Sequence, residues 1–355
     1  AMAWAAVLLG FSSATQDIVI DAYRIESADA DLQAMLSATY IAGYRIGMLV
    51  AGAGSLALAG YLGTSVEHYS YTAWRITYFG VAFCMLVGLI TALVIPEPDL
   101  GDRVKPKDYS TTDYARFFAL FLCAASVFVL VFFYGGTISD SIKGSLNESL
   151  GQFGRITSFL VETLRLFVSL GMALAAARGL VALGLVNREM LNDTYIDPVK
   201  DFFTRYGVKI AVLLLLLIGF YRVSDIVLGV ISTVFYLDLG FSKTQIAGIV
   251  KTFGLLMTIA GGFLGGMLTV RYGVLKILFL GGVLAAATNV LFMILAGAGP
   301  NLLMLKAVVA ADNLAAGLAS AAFVAFLSSL TSISFTAVQY AVFSSLMSLF
   351  PKLIG

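Results

Sequence analysis

Histidine occurs once in the 355 residues, at His68, and cysteine twice, at Cys84 and Cys123. One imidazole cannot build a histidine-based metal or catalytic centre. Both cysteines lie inside apolar runs, which argues against a disulfide framework or a metal-ligand pattern. Charge is scarce as well: Asp, Glu, Lys and Arg make up 12% of the chain, against about 25% in soluble domains. The net charge of +1 supplies no basic surface for nucleic acid. No cofactor motif is visible. The first ten residues, AMAWAAVLLG, carry no charged leader and read as the middle of a helix rather than as a signal peptide.

What is abundant is apolar surface. Hydrophobic residues make up 60% of the chain and the mean hydropathy is +0.94, values that a water-soluble core does not need. Apolar runs of twenty residues or so match the span of an α-helix across a bilayer and exceed that of a barrel strand. The fold class read from these runs is an all-α polytopic membrane protein.

The spans expected in order begin with one from the start to Tyr23, followed by Leu32–Leu62 and Trp74–Ile95, the last stopped by Pro96 and Pro98. A charged loop, Pro96–Arg116, leads to an inserted helical pair at about 117–185. This pair is read as transmembrane, although Glu162, Arg165 and Arg178 would also suit a helix lying on the surface. Later spans are expected at Val208–Tyr236, Thr244–Val270, Leu275–Ala296 and Leu302–Leu330, with a last one from Phe335. Arg24, Arg103, Lys105, Lys107, Arg116, Arg188 and Arg271 gather on one side, which the positive-inside rule makes cytoplasmic. The first span then runs from outside to inside.

Charges within the spans are the candidate functional residues, because an ionised group in hydrocarbon costs several kcal/mol unless it lines a polar path or has a partner. In GFSSATQDIVIDAYRIE (Gly10–Glu26), helical spacing puts Gly10, Ala14, Asp17, Asp21 and Arg24 on one face. Asp17 is expected deep in the span, Asp21 nearer the cytoplasm, and Arg24 and Glu26 at a gate or at the interface. Arg45 stands well inside the second span and can pair with Asp17 or Asp21. Arg222 and Asp225 are expected one turn apart in mid-span. Lys251, Asp312 and Asn313 each lie about two turns into theirs, and Lys352 follows Pro351. Each such pair can equally be a structural lock.

The chain also repeats itself. Gly10–Ala14 reappears as Gly317–Ala321, and Gln33–Ala38 as Tyr340–Ser345, at one common offset of 307 residues. Two similar halves related by an axis along the membrane normal would give this pattern. On a plan of two six-helix halves, residues 1–95 supply helices four to six, 96–207 the linkers with the inserted hairpin, and 208–355 helices seven to eleven. Three leading helices and a last one are then unaccounted for, so the sequence is expected to be part of a longer protein.

Several motifs carry a resemblance. Gly262–Gly273, GFLGGMLTVRYG, resembles the Gly-Gly-x-x-x-x-Arg-x-Gly loop of major facilitator proteins. SATQDIVIDAYRIE (Ser13–Glu26) with GYRIGMLVAG (Gly43–Gly52), FYRVSD (Phe220–Asp225) and DNLAAGLASAAFVAFLSSL (Asp312–Leu330) resemble the AmpG muropeptide permease family within that superfamily. The chain departs from the family at Val223-Ser224, where Leu-Gly is usual, and at Asp312, where Glu is usual. The resemblance implies a major facilitator fold and a non-enzymatic monomer of the bacterial inner membrane. It also implies import of anhydromuropeptides, driven by protons, for peptidoglycan recycling. In that reading Asp17, Asp21 and Asp225 couple protons, with Asp17 first. Ala14, Gln16, Arg45, Arg222, Lys251, Asp312 and Asn313 line the substrate site, supplying amide and cationic donors for an anionic glycopeptide. The alternative is transport of another anionic solute, such as acetyl-CoA or a sugar conjugate. A membrane enzyme is disfavoured because the charges are scattered over several spans.

Overall fold

A computed structural model describes residues 2–29, 32–65, 67–99, 109–150 and 154–354. Arg103, Lys105 and Lys107, three of the cations used for orientation, lie outside the described residues, as do the side chains of Arg155 and Lys352. Every regular element among the described residues is helical. In chain order these are α1 (Met2–Glu26), α2 (Gln33–Leu49), α3 (Ser55–Tyr61), α4 (Tyr71–Val94), α5 (Thr111–Leu150), α6 (Gly154–Ala182), α7 (Arg188–Leu191) and α8 (Asp197–Phe220). They continue as α9 (Val223–Asp238), α10 (Lys243–Gln245), α11 (Gly254–Tyr272), α12 (Val274–Ala298), α13 (Leu302–Leu330) and α14 (Thr336–Ile354). Three π-helical stretches, Val50–Gly54, Asn192–Ile196 and Ile246–Phe253, join neighbouring α-helices. Among the described residues nine helical stretches are long and apolar enough to cross a membrane, and Ile333–Leu349 is a shorter apolar helix. The protein is an all-α, multi-pass membrane protein.

The chain divides into two compact units. The first holds residues 1–103 and 221–344. Its axis is α13, which is buried along most of its length. Helix α11 reaches this axis through glycines. A Cβ on Gly261 would stand 2.2 Å from the Leu314 carbonyl oxygen, one on Gly265 2.7 Å from Leu318 Cα, and one on Gly317 2.1 Å from the Thr258 carbonyl oxygen. The two backbones therefore touch, as small-residue interfaces permit where lipid offers no hydrophobic drive for association. Gly281 brings α12 equally close, since its Cβ would meet Ala319 Cα at 2.8 Å. Helix α2 packs on the same pair, with Ala34 and Ala38 against Gly266. Towards one end Tyr236, Phe241, Ile246, Phe292, Leu295 and Leu305 close an apolar core.

The second unit, residues 104–220 and 345–355, contains the α5–α6 hairpin. Glu162 holds it together: its carboxylate accepts from Lys143 Nζ at 2.6 Å, Ser139 Oγ at 3.0 Å and Arg165 Nη1 at 3.2 Å. The Arg165 guanidinium lies 3.8 Å from the Phe132 ring centroid. Helix α8 bends at Gly207, whose φ of 71° suits a residue without a Cβ. The bend separates a polar segment carrying the Arg205–Asp201 pair at 2.9 Å from the apolar run that follows.

Two expected spans change shape. The third begins at Tyr71 rather than Trp74, because the Ser70 side chain accepts from Ala73 N and caps the helix. Val208–Tyr236 is not one helix, since the chain leaves helical geometry at Tyr221 and Arg222. Tyr221 donates from its hydroxyl to the Leu278 carbonyl at 2.7 Å and stacks on Phe323 at 4.7 Å. These tertiary bonds outweigh continuation of the helix. Arg222 and Asp225 therefore occupy the start of α9, not mid-helix.

Candidate functional site

Six of the ten candidate residues converge. Arg45, Arg222, Asp225, Lys251, Asp312 and Asn313 line one cavity of about 340 Å³ within the first unit, together with Tyr236, Thr258 and Phe292. Arg45 comes from α2, Arg222 and Asp225 from the start of α9, Lys251 from the π-helical stretch Ile246–Phe253, and Asp312 and Asn313 from α13. At a rise of about 1.5 Å per residue, Asp312 lies about 15 Å along α13, half the thickness of a bilayer core. Arg45 is at similar depth in its own span. Lys251 itself lies in the π-helical stretch Ile246–Phe253, and such local widening of a helix is frequent at functional sites.

The polar residues are held in different ways. Asn313 accepts from Thr258 Oγ1 at 2.9 Å and donates from Nδ2 to the Val309 carbonyl at 2.9 Å, so its orientation is fixed. Asp312 Oδ1 accepts from Thr288 Oγ1 at 3.1 Å. Arg222 Nε stands 3.8 Å from Asp225 Oδ2, an ion pair too long for a hydrogen bond. Asn289 donates to Ser224 Oγ at 3.0 Å beside it. Among the described residues neither Arg45 nor Lys251 forms an ion pair. The cavity thus holds three cations against two carboxylates.

The remaining four candidates, Ala14, Gln16, Asp17 and Asp21, sit on α1 away from this cavity. Ala14, Gln16 and Asp17 are exposed on the described surface of α1, with the Gln16 amide against Gly88 of α4. The expected pairing of Arg45 with Asp17 or Asp21 does not form. Asp21 instead pairs with Arg24 at 3.3 Å, one helical turn away. Arg24 is itself no interface residue, being only 6% exposed. Its Nη1 donates to Ser328 Oγ at 3.0 Å and to Ser37 Oγ at 3.2 Å, and its guanidinium lies between the rings of Tyr40 and Tyr340, 5.6 and 5.2 Å from their centroids. Gln33 ties the same place to the end of α1 by donating to the carbonyls of Ile25 at 2.9 Å and Ala28 at 2.8 Å. One buried cation therefore joins α1, α2, α13 and α14.

Past it, towards the helix end, Gln33 and Ser328 line a larger polar cavity of about 600 Å³ with Glu26, Asp29 and Asp99. The order along α13 is Asp312 and Ala316 at the mid-depth cavity, a buried stretch from Ala319 to Leu327, then Ser328. The Arg24 cluster sits at the far end of that closed stretch. Residues missed from sequence are the hydroxyl groups: Tyr236, Thr258, Thr288 and Tyr221. A threonine inside an apolar helix carries no signal of its own, because it commonly bonds its own backbone, as Thr258 also does to Gly254 at 3.0 Å. No group of three or more His, Cys, Asp or Glu side chains able to hold a metal occurs among the described residues.

Fold and site together define a polytopic helical membrane protein with a charged cavity at mid-depth. No protein-family model matches the chain. It is 29% identical over 343 residues to a Rickettsia conorii protein named "Putative transporter AmpG 4", a match covering 97% of this chain and 61% of that relative. It is 26% identical over 346 residues to the "Anhydromuropeptide permease" of Escherichia coli K12, covering 97% of this chain and 51% of the permease. The likeness to AmpG proteins read from the motifs thus extends over nearly the whole chain, and these relatives are named as a transporter and a permease rather than as enzymes. The chain spans about half to three fifths of the length of these relatives.

Proposed function

We propose that this chain forms the substrate-handling part of an inner-membrane transporter that imports anhydromuropeptides from periplasm to cytoplasm, coupled to protons, by alternating access. The observation that carries the reading is the mid-depth cavity. Its side chains come from α2, α9, α13 and the stretch before α11, and it has one cation more than carboxylates. A bilayer protein that holds such a cavity without using it would bear the cost of burying charge for nothing in return.

The chemistry suits an anionic glycopeptide. Arg222 and Arg45 offer planar forks to carboxylates, Lys251 a mobile ammonium, and Asn313 an oriented amide to sugar or peptide. Gln16 and Ala14 on α1 would join this surface only through movement of that helix. The Arg24 cluster supports a closed cytoplasmic end, because its bonds join helices from both repeat-related parts of the chain. Alternating access would require those bonds to break and reform. The division into residues 1–95, 96–207 and 208–355 belongs to the same proposal, with the α5–α6 hairpin inserted between two similar bundles.

The test is uptake of radiolabelled N-acetylglucosaminyl-anhydro-N-acetylmuramyl peptide into proteoliposomes holding the whole protein, with an imposed proton gradient. Saturable uptake that collapses when a protonophore is added is expected. Uptake of acetyl-CoA in place of the muropeptide, and competition in that direction only, would move the assignment to another anionic solute.

A further inference from the structure

Asp21, Asp225 and Asp312, three of the carboxylates in the first unit's membrane spans, are held unequally. Asp21 is paired with Arg24 at 3.3 Å, and Asp225 has Arg222 at 3.8 Å. Asp312 forms no ion pair among the described residues, and its one bond is the hydroxyl of Thr288 on Oδ1 at 3.1 Å. The groups that face it can be named element by element. Helix α9 contributes Arg222, Asp225 and the Tyr236 hydroxyl, α2 contributes Arg45, the π-helical stretch contributes Lys251, and α11 and α12 contribute only the hydroxyls of Thr258 and Thr288.

We propose that Asp312 is the proton-carrying group of the transporter, and that it couples the proton to the solute through the charge of the cavity. The inference rests on the reading of the cavity as a site for an anionic solute. With both carboxylates ionised, three cations against two carboxylates leave a formal charge of +1. A proton taken up by the Asp312 carboxylate forms an O–H on that side chain and removes one negative charge, so the cavity becomes +2 and holds an anion more tightly. When the solute leaves, the excess positive charge expels the proton to the side on which the cavity is then open. No other atom changes its bonding. Asp225 does not serve equally well, because protonating it leaves Arg222 without its ion-pair partner. Asp312 can gain a proton while keeping the Thr288 hydrogen bond on its other oxygen.

Linkage makes this measurable without turnover, since a proton that tightens the solute must itself be bound more tightly when solute is present. The dissociation constant of a fluorescent 1,6-anhydromuramyl peptide is measured for the whole protein in nanodiscs as a function of pH. The wild type is expected to bind more tightly as pH falls, by up to about tenfold per pH unit for one coupled proton. Asp312→Asn is expected to hold one affinity, near the low-pH value of the wild type, at every pH. Asp312→Glu restores the dependence with a displaced midpoint, and Thr288→Val displaces the midpoint while keeping Asp312, so the question stays open to measurement even if the Asn variant fails to fold.

Asp17→Asn and Asp225→Asn are the counter-tests. If either abolishes the pH dependence while Asp312→Asn keeps it, Asp312 is not the carrier. Wild-type affinity that is flat with pH also overturns the proposal. If the peptide fails to bind at any pH, the muropeptide reading falls, and the same titration with labelled acetyl-CoA then tests Asp312 separately.

Discussion

Arg24 and Ser328 are 304 positions apart in sequence, yet the guanidinium of one donates to the hydroxyl of the other at 3.0 Å. The same guanidinium holds Asp21, so a single side chain neutralises a buried carboxylate and joins α1 to α13. Removing either member of a buried ion pair leaves an uncompensated charge, which costs about 3–5 kcal/mol. Arg24→Ala is expected to abolish or severely lower the yield of folded protein, measured as the monodisperse fraction after detergent extraction. The double change Arg24→Met with Asp21→Asn is expected to recover much of it, because no charge is then left alone. Ser328→Ala removes one charge-assisted bond and should cost only about 1–3 kcal/mol.

The glycine contacts predict a second, sterically driven loss. Alanine at Gly261 or Gly317 would put a Cβ within 2.2 Å of the opposing backbone, so α11 and α13 would have to separate. Overpacking of this kind costs about 1–3 kcal/mol or more. Thermal unfolding followed by fluorescence should show a clear fall for either variant. Gly10→Ala on α1, where nothing lies within 4 Å of the added carbon, should show none.

Within the second unit, Glu162 is the acceptor for three donors, so Glu162→Gln is expected to loosen the α5–α6 hairpin more than Ser139→Ala does. Limited proteolysis of the α5–α6 pair is the measurement. Equal cleavage rates for the two variants would show that the ion pairs do not hold the hairpin.

Cavity cations make a fourth, functional prediction. Lys251→Gln, with no ion-pair partner among the described residues to be left behind, should weaken an anionic probe by about tenfold, ~1.4 kcal/mol, with little change in thermal stability. Arg222→Gln should weaken it too but also release Asp225, giving a loss of stability that Lys251→Gln does not share. A neutral sugar used as the probe should be bound equally by all three proteins.

Much of this is legible in the residues alone. Ions placed inside apolar runs point to a polar path, and five of them meet in one cavity with Asn313, because a charge in hydrocarbon needs a partner or a polar space. Arg24 was harder to place. Its position one residue past the expected end of the first span reads as a gate or as the interface, and its burial depends on Ser328, Tyr340 and Ser37, which no local pattern connects to it. The break at Tyr221 is hidden for a related reason: no proline marks it within a long apolar run, Gly219 alone is a weak stop signal, and a hydrogen bond to Leu278 on another helix decides the matter. Thr288 and Thr258 were silent because a hydroxyl on an apolar helix looks the same whether it serves its own backbone or a neighbour's carboxylate.

The offset of 307 residues that relates the two repeats has a counterpart in space. Ser328 occupies the repeat position of Asp21, and Tyr340 that of Gln33, and all four lie around the guanidinium of Arg24. On the proposed plan of two similar halves, residues that meet their own images sit beside the axis relating them. Two identical halves would set carboxylate against carboxylate there, and arginine against arginine. Ser328 in place of an aspartate and Thr331 in place of an arginine remove both repulsions, leaving one acid and one base where a perfect duplicate would have two of each. On the proposed plan of two similar halves this cluster is their seam, and a single cation fastens both sides of it.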